Sequence, residues 1–589
     1  MAKTNRRPNV LFILTDDQGY GDLSCHGNPI LKTPNIDTLH SESVRFTDFH
    51  VGTTCAPTRA GLLTGHHSNS AGVWHTIGGR SLLRENEWTL ANALNEAGYR
   101  TGHFGKWHLG DSSPFLPYER GFDTSIYHAG GGIGNTADAW GNDYFDDTYF
   151  VNGVPEQFEG YCTDVFFREA EKFIAVDSEQ PFLCHIATNA PHGPLNIEPR
   201  YSEPYLAPTG DDSRARFFGM IANIDENLGR LRSRLEELGL TENTILVFMT
   251  DNGTASGVDI DEDHHPLPGP GGFGAGMRGR KSSPYEGGHR VPFFLYFPLG
   301  DLPAGKDVSE LTSYVDFMPT IMALCGVDIP EGRNFHGENL ESVIRGQSDP
   351  PWAGRTVVCD TQRIARPMKW QLSSTMREKW RLVNGTELYD LTVDPGQRSD
   401  VSTAYPGIVE SMRQGYEAWW DLVSPQFDAD IPIAVGTDDK TVRLTTHDVR
   451  NEQCNCAWNQ GQVRTGYIVS GYWEVDVKQS GNYEIEFRRW PTEAGHAVAA
   501  GIEGDDVEWR PEYIQERDWK MYTGGVALSI RWAQLRLGGR THYAEVDPES
   551  IGSLFSVNLD KGIDHLYASF HDKRMRTIAP YYIYVRKLA

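Results

Sequence analysis

Four times in the first 300 residues, a short apolar run stops abruptly at polar residues. Asn9–Thr15 ends at Asp16-Asp17, and Tyr99–Phe104 ends at Gly105-Lys106-Trp107-His108. Phe182–Thr188 ends at Asn189-Ala190-Pro191-His192, and Thr244–Thr250 at Asp251-Asn252-Gly253. Runs of this length with little alternation predict strands buried on both faces. Helical patterns lie between them. The clearest places Phe217, Ile221, Ile224, Leu228, Leu231, Leu235 and Leu238 at steps of four and three, one apolar stripe on an amphipathic helix. Strands alternating with such helices predict an α/β fold, with a mostly parallel central sheet sandwiched by helices. Ligands gather at the carboxyl ends of the strands in such sheets. All four polar clusters fall there and are expected to converge on one site.

The pattern changes further along. Met376–Val383, Asn384-Gly385 and Thr386–Leu391 read as a hairpin with a type I′ turn, and a short helix is expected at about 407–421. Phe427-Asp-Ala-Asp-Ile-Pro432 reads as a linker. Beyond it, Tyr472–Val477, Tyr483–Phe487 and Tyr581–Val585 alternate between glycine turns, which predicts a β-sandwich. The expected division is a catalytic α/β unit over 1–354, a small α+β subdomain over 355–430 and an accessory sandwich over 431–589.

At 589 residues the chain exceeds one ordinary core, and 39% hydrophobic residues exclude a mainly disordered protein. No window approaches a membrane-spanning length of apolar residues. The eight cysteines show no CxxC spacing, so neither a disulfide scaffold nor a zinc ribbon is indicated. A net charge of −26 argues against a nucleic-acid binder, whose footprint would be basic. Most of that charge, −23, lies in the first 430 residues, so an anionic substrate would need a local basic pocket. The five apolar residues Val10–Leu14 are too few for a signal-peptide core, and no small-residue cleavage site follows.

Asp16, Asp17, Asp251 and Asn252 offer only oxygen donors, the set a hard divalent cation takes. Capping of the following turns by Asp is the alternative. The acidic run Asp259–Asp263 is not an EF-hand, because His264 stands where the loop needs glycine. Cys55 and Arg59 share one face of a helix start, placing sulfur beside a fixed cation; a buried structural cysteine is the alternative. Lys106 and His108, two apart, would face one side of an extended segment. Pro191-His192-Gly-Pro194 fixes another polar group at a strand end. Lys281, His289 and Arg290 surround Tyr285-Glu-Gly-Gly288 after a glycine-rich loop that lacks the Walker A pattern. Gly130–Gly134 is too short a signal for a dinucleotide site. HExxH and GxSxG are absent, which leaves zincin and α/β-hydrolase readings unsupported.

Taken together, Cys55-x-Pro57-x-Arg59, Gly105-Lys-Trp-His-Leu-Gly110, Pro8-Asn-Val-Leu through Asp16-Asp17-Gln-Gly-Tyr-Gly-Asp22, Asp251-Asn-Gly253 and Glu387-Leu-Tyr-Asp-Leu391…Asp394-Pro395 resemble the type I sulfatases of the alkaline-phosphatase superfamily. The resemblance spans about residues 8–425, with the motifs in the family's order. It implies that Cys55 is oxidised to formylglycine by a formylglycine-generating enzyme, and that its hydrate supplies the nucleophile. It implies one Ca²⁺, with Mg²⁺ or Mn²⁺ as lesser candidates, held by Asp16, Asp17, Asp251 and Asn252. Arg59 would stabilise the formylglycine hydroxyls. Lys106, His192 and Lys281 would bind sulfate oxygens, His192 would also protonate the leaving alcohol, and His108 would deprotonate the hydrate to release sulfate. With Met1 as the natural start the resemblance points to a cytoplasmic bacterial enzyme; a removed leader would make it periplasmic or secreted.

The expected function is hydrolysis of a sulfate monoester, on a carbohydrate or a small aryl compound. Two alternatives stay open: a phosphonate monoester or phosphodiester hydrolase of the same superfamily, and a non-catalytic protein that binds sulfated glycans. Six of the 15 Trp (458, 473, 490, 509, 519 and 532) fall in the C-terminal region, so it would either stack sugar rings or pack a core. The segments around His128–Tyr149 and His264-His265 are further candidates for substrate subsites. The sequence leaves homo-oligomerisation open and indicates neither a membrane nor a nucleic-acid partner.

Overall fold

The computed structural model describes residues 6–267, 272–347, 350–437, 441–508, 510, 512–514, 521–573 and 577–588. Ten strands form its central sheet: β1 (Asn9–Thr15), β2 (Val44–Phe46), β3 (Arg100–Lys106), β4 (Thr124–His128), β5 (Thr148–Val151), β6 (Val154–Gln157), β7 (Phe182–Ala187), β8 (Thr244–Thr250), β9 (Phe293–Tyr296) and β10 (Asp307–Val308). Their spatial order is β10-β2-β9-β8-β1-β7-β3-β4-β5-β6. The five middle strands, β8 to β4, run parallel, whereas β9 and the β5-β6 ribbon are antiparallel to their neighbours. The four sequence-predicted strands are β1, β3, β7 and β8, all in the parallel centre.

Strand β1 shows why the sheet is buried on both sides. Val10, Phe12 and Leu14 pack into one apolar cluster, Leu11 and Ile13 into the other. The first cluster includes helix α1 (Cys55–Thr64), and the second includes helix α2 (Cys162–Ile174) and helix α3 (Asp212–Glu237). The predicted stripe on α3 is buried from Phe217 to Leu235. At about 1.5–3 kcal/mol for each fully buried large apolar side chain, it anchors the helix to the sheet.

A second sheet, 357–390, has four antiparallel strands and carries helix α4 (Pro406–Val423). Here the run Met376–Val383 is not one strand. The chain turns at Glu378-Lys379, with Glu378 left-handed (φ 48), so Ser373–Arg377 pairs with Trp380–Val383. The next turn has the predicted form: Asn384 (φ 49) and Gly385 (φ 68) are both left-handed, and Thr386 N donates to Val383 O.

From Ile433 onward, two mainly antiparallel sheets enclose one apolar cluster, a β-sandwich. Leu82 and Phe115, from the first part of the chain, belong to the same cluster. The segment read as a linker is pinned at both ends: Phe427 packs on Trp74, and Asp430 is bound by Arg80, Arg366 and Arg450. Of the tryptophans, Trp473 and Trp490 are core residues, Trp532 is exposed, and Trp509 and Trp519 lie outside the described residues.

Candidate active site

Register assembles the site. Thr15 pairs with Thr250 across parallel β1 and β8, so Asp16-Asp17 and Asp251-Asn252 leave the sheet side by side. Asp17 N donates to Asp251 Oδ1 (3.2 Å), and Asn252 Nδ2 donates to Asp17 Oδ1 (2.9 Å). Gly253 is required here, because a Cβ would stand 1.9 Å from Gly287 O. On the other side of β1, strand β3 ends at Lys106, held close to β7 by Gly105 (φ 112), whose Cβ would meet Ala187 O at 2.0 Å.

Cys55 is the first residue of α1, and the whole helix is buried. Ligand atoms of Cys55, Asp16 and Asp251 lie within 4.8 Å of one another. One turn on, Arg59 reaches across: Nε and NH2 both donate to Asp251 Oδ2 (3.0 and 2.6 Å), and NH1 donates to Lys106 O (2.9 Å). Lys106 Nζ donates to Asp16 Oδ2 (2.5 Å), and Lys281 Nζ to Asp17 Oδ1 (2.5 Å). Three buried carboxylates thus face three cations, of which Arg59 and Lys106 are buried and Lys281 is partly exposed.

His192 lies beyond them, with Nε2 3.6 Å from Asp17 Oδ2 and Nδ1 2.7 Å from Gly193 O. A carbonyl partner assigns the proton to Nδ1 and leaves Nε2 free toward the site. His108 is left-handed (φ 61), which breaks the extended alternation that would have aligned it with Lys106. Its Nε2 donates to Thr76 O (2.9 Å), and its buried Nδ1 has no hydrogen-bond partner. Burial, followed by the Lys106 charge, pushes the His108 imidazole well below its usual range. Burial lowers His192 to about 3, against the pull of Asp17. Both rings are neutral near pH 7 in this state.

The oxygen donors have the electrostatics and geometry of a cation site. Burial raises Asp16, and burial with the Asp16 charge raises Asp251 to about 6, whereas the Lys281 ammonium holds Asp17 low despite its burial. Asp16 Oδ1 and Asn252 Oδ1 are buried with no hydrogen-bond partner. Two orphaned oxygens within an all-oxygen donor set fit a hard divalent cation.

All ten sequence-predicted residues therefore come together: Cys55, Arg59, Lys106, His108, His192, Lys281 and the four oxygen donors. His289 and Arg290 do not join them. His289 bonds His50 (2.8 Å between Nδ1 atoms), and Arg290 donates to Thr47 O (2.7 Å). The Gly130–Gly134 segment, dismissed as a nucleotide loop, packs on the site: a Cβ on Gly131 would stand 2.6 Å from His108 Cε1. Sequence reasoning placed a candidate subsite around His128–Tyr149 but missed this contact with His108, because glycine needed for close backbone approach has no spacing signature. It also missed Asp111 and His447, whose ring centroid is 6.0 Å from that of His108, since 339 positions separate the two histidines.

The profile of the family described as Sulfatase matches residues 8–327. The chain is 32% identical to Arylsulfatase G of Rattus norvegicus over 378 residues, 58% of this chain and 69% of the relative. It is 31% identical to N-acetylgalactosamine-6-sulfatase of Homo sapiens over 429 residues, 67% of this chain and 76% of the relative. Among solved structures, Ps i-CgsB in complex with k-i-k-neocarrahexaose superposes with a TM-score of 0.63 at 27% identity, covering 72% of this chain and 99% of that one.

Proposed function

The chain belongs to the sulfatase family, whose members are sulfuric ester hydrolases, and on that premise we propose that it hydrolyses carbohydrate sulfate monoesters through a formylglycine derived from Cys55 and one bound Ca²⁺. The observation that carries the reading is the position of Cys55, at the buried start of α1 beside Asp16 and Asp251 and among three cations. Oxidation of the thiol to an aldehyde would supply a hydrate with a nucleophilic hydroxyl, and the cation held by Asp16, Asp17, Asp251 and Asn252 would supply Lewis acidity.

The remaining chemistry belongs to the chain. Arg59 fixes the start of α1 against Asp251 and presents its charge at position 55. Lys106 and Lys281 pair with the carboxylates at the site, and their ammonium groups would also bind the oxygens of a sulfate group where charge develops as the S–O bond breaks. His108, neutral with a free Nδ1, is suited to take the proton from the second hydroxyl of the hydrate. His192 can protonate a leaving alcohol only as imidazolium, and the negative charge of a bound sulfate ester raises its proton affinity.

The preference for a carbohydrate rests on relatives named for N-acetylgalactosamine 6-sulfate and on a neighbour solved with neocarrahexaose. The test is mass spectrometry of the tryptic peptide Phe46–Arg59 from protein produced with a formylglycine-generating enzyme, followed by sulfate release from a panel of sulfated monosaccharides. An aldehyde at position 55 with release from at least one sugar supports the reading. An intact thiol, or turnover of phenylphosphonate esters in preference to sulfates, overturns it.

A further inference from the structure

Where the sandwich meets the central part of the chain, the turn Thr446–Asp448 brings His447 and Asp448 against Asp111, three residues beyond His108. Ligand atoms of Asp111, His447 and Asp448 lie within 4.8 Å of one another. His447 and Asp448 are buried, at 1% and 3% exposure, and the Asp111 side chain is 9% exposed. His447 Nδ1 faces both carboxylates, 3.8 Å from Asp111 Oδ2 and 3.6 Å from Asp448 Oδ1, too far for hydrogen bonds. Neither ring nitrogen has a hydrogen-bond partner, nor does Asp448 Oδ1. Asp111 Oδ1 accepts from Gly130 N (2.7 Å), which aims its other oxygen at the imidazole.

Apart from the His447 ring itself, no cationic side chain among the described residues balances the two carboxylates. Among the described residues, no lysine or arginine nitrogen lies within 4.0 Å of either carboxylate. Arg443, three residues before the turn, is directed instead to Ala137 O and toward Glu493. Two adjacent buried carboxylates are costly unless a cation stands between them.

We propose that Asp111, His447 and Asp448 form a second metal site, distinct from the all-oxygen site, which takes a divalent transition ion of the Zn²⁺ class. One imidazole nitrogen with carboxylate oxygens selects such ions, whereas the donors at Asp16, Asp17, Asp251 and Asn252 select hard ones. The ion would join the segment that follows His108 to the sandwich. The ligands come from both parts of the chain, so the site exists only when the two are docked.

The test uses the full chain, stripped with chelator and dialysed against Zn²⁺ in excess Ca²⁺, with bound metal counted by inductively coupled plasma mass spectrometry and Tm measured in parallel. His447→Ala and Asp111→Asn should each bind one zinc fewer than wild type and lose the zinc-dependent rise in Tm, with calcium content unchanged. Asp111→Asn is nearly isosteric and lies on the other segment, so it decides the matter if His447→Ala fails to fold. His26→Ala is the control, because Cys25, His26 and His40 form another, partly exposed cluster of soft donors. Wild type that binds no zinc, or zinc lost only in His26→Ala, overturns the proposal and leaves His447 as an imidazolium between two carboxylates.

Discussion

Arg59 and Asp251, 192 residues apart, meet through two bonds to a single oxygen: Arg59 Nε and NH2 both donate to Asp251 Oδ2. The contact ties the start of α1 to the end of β8 and thereby fixes where residue 55 stands. Arg59→Lys keeps the charge but loses the planar fork, and an ammonium cannot hold both the carboxylate and Lys106 O. Expected is a fall in kcat of roughly 100-fold, with KM changed much less, the scale on which lost electrostatic preorganisation is felt. Steady-state turnover of 4-nitrophenyl sulfate measures it; a selective rise in KM would assign Arg59 to substrate binding instead.

Removing the divalent cation should return Asp16, Asp17 and Asp251 to a buried set balanced only by Lys106, Lys281 and Arg59. A chelator is expected to abolish turnover and lower Tm, and added Ca²⁺ to restore both, since a ligand that binds only the folded state stabilises it in proportion to its saturation. Full activity in excess chelator would remove the cation from the reaction.

Gly105→Ala should be severe. The position is left-handed at φ 112, and the added Cβ would stand 2.0 Å from a backbone carbonyl that cannot rotate away. Either β3 separates from β7 or Lys106 moves off Asp16. Expected is loss of at least about 3 kcal/mol of stability, read by urea unfolding, together with loss of activity.

Asp430 receives Arg80, Arg366 and Arg450 on one oxygen. Asp430→Asn removes the carboxylate shared by two nearly buried guanidinium groups, at a cost of about 3 kcal/mol or more. Limited proteolysis near residue 430, with wild type as reference, would show the segment opening; an unchanged cleavage rate would contradict the clamp.

Asp360 sits buried beneath Tyr416 and Gln362, and burial raises its carboxyl to about 7. The folded state therefore keeps a proton that the unfolded chain releases near pH 4, so this contribution is complete below pH 4 and fades as pH climbs through 7. Between pH 5 and 8, wild type should lose about 3 kcal/mol relative to Asp360→Asn, whose side chain cannot titrate. Parallel slopes for the two proteins would show that Asp360 is ionised in the fold.

The parallel centre of the sheet was legible because β1, β7 and β8 are largely apolar runs stopped by polar residues, and β3, though interrupted by Arg100, Thr101 and His103, ends in the same way; register then placed those residues together without further information. The helix stripe from Phe217 was legible for the same reason of period. The turn at Glu378-Lys379 was not, because neither residue is a usual left-handed type. The geometry of His108 escaped too: a left-handed residue within an otherwise extended segment leaves no mark in the pattern of residue types. The clamp on Asp430 was not legible, because Asp and Pro in sequence signal a loop and say nothing about which arginines converge on it. The neighbours of His447 are long-range, and no pattern local to Thr446–Asp448 points to Asp111.

The return of the sandwich onto the first 140 residues has a consequence for the order in which the protein is made. Gly78 N donates to His447 O, Thr136 N to Trp458 O, and Thr136 Oγ1 to Ala457 O, so backbone laid down early is completed by backbone laid down late. Synthesis runs from the N-terminus, and a nascent chain that had already formed β1 and α1 would hold these donors, with the apolar side chains of Leu82 and Phe115, open to water until more than 300 further residues had emerged. The rim beside His108 is therefore among the last surfaces to close during biosynthesis, although its own residues are among the first to leave the ribosome.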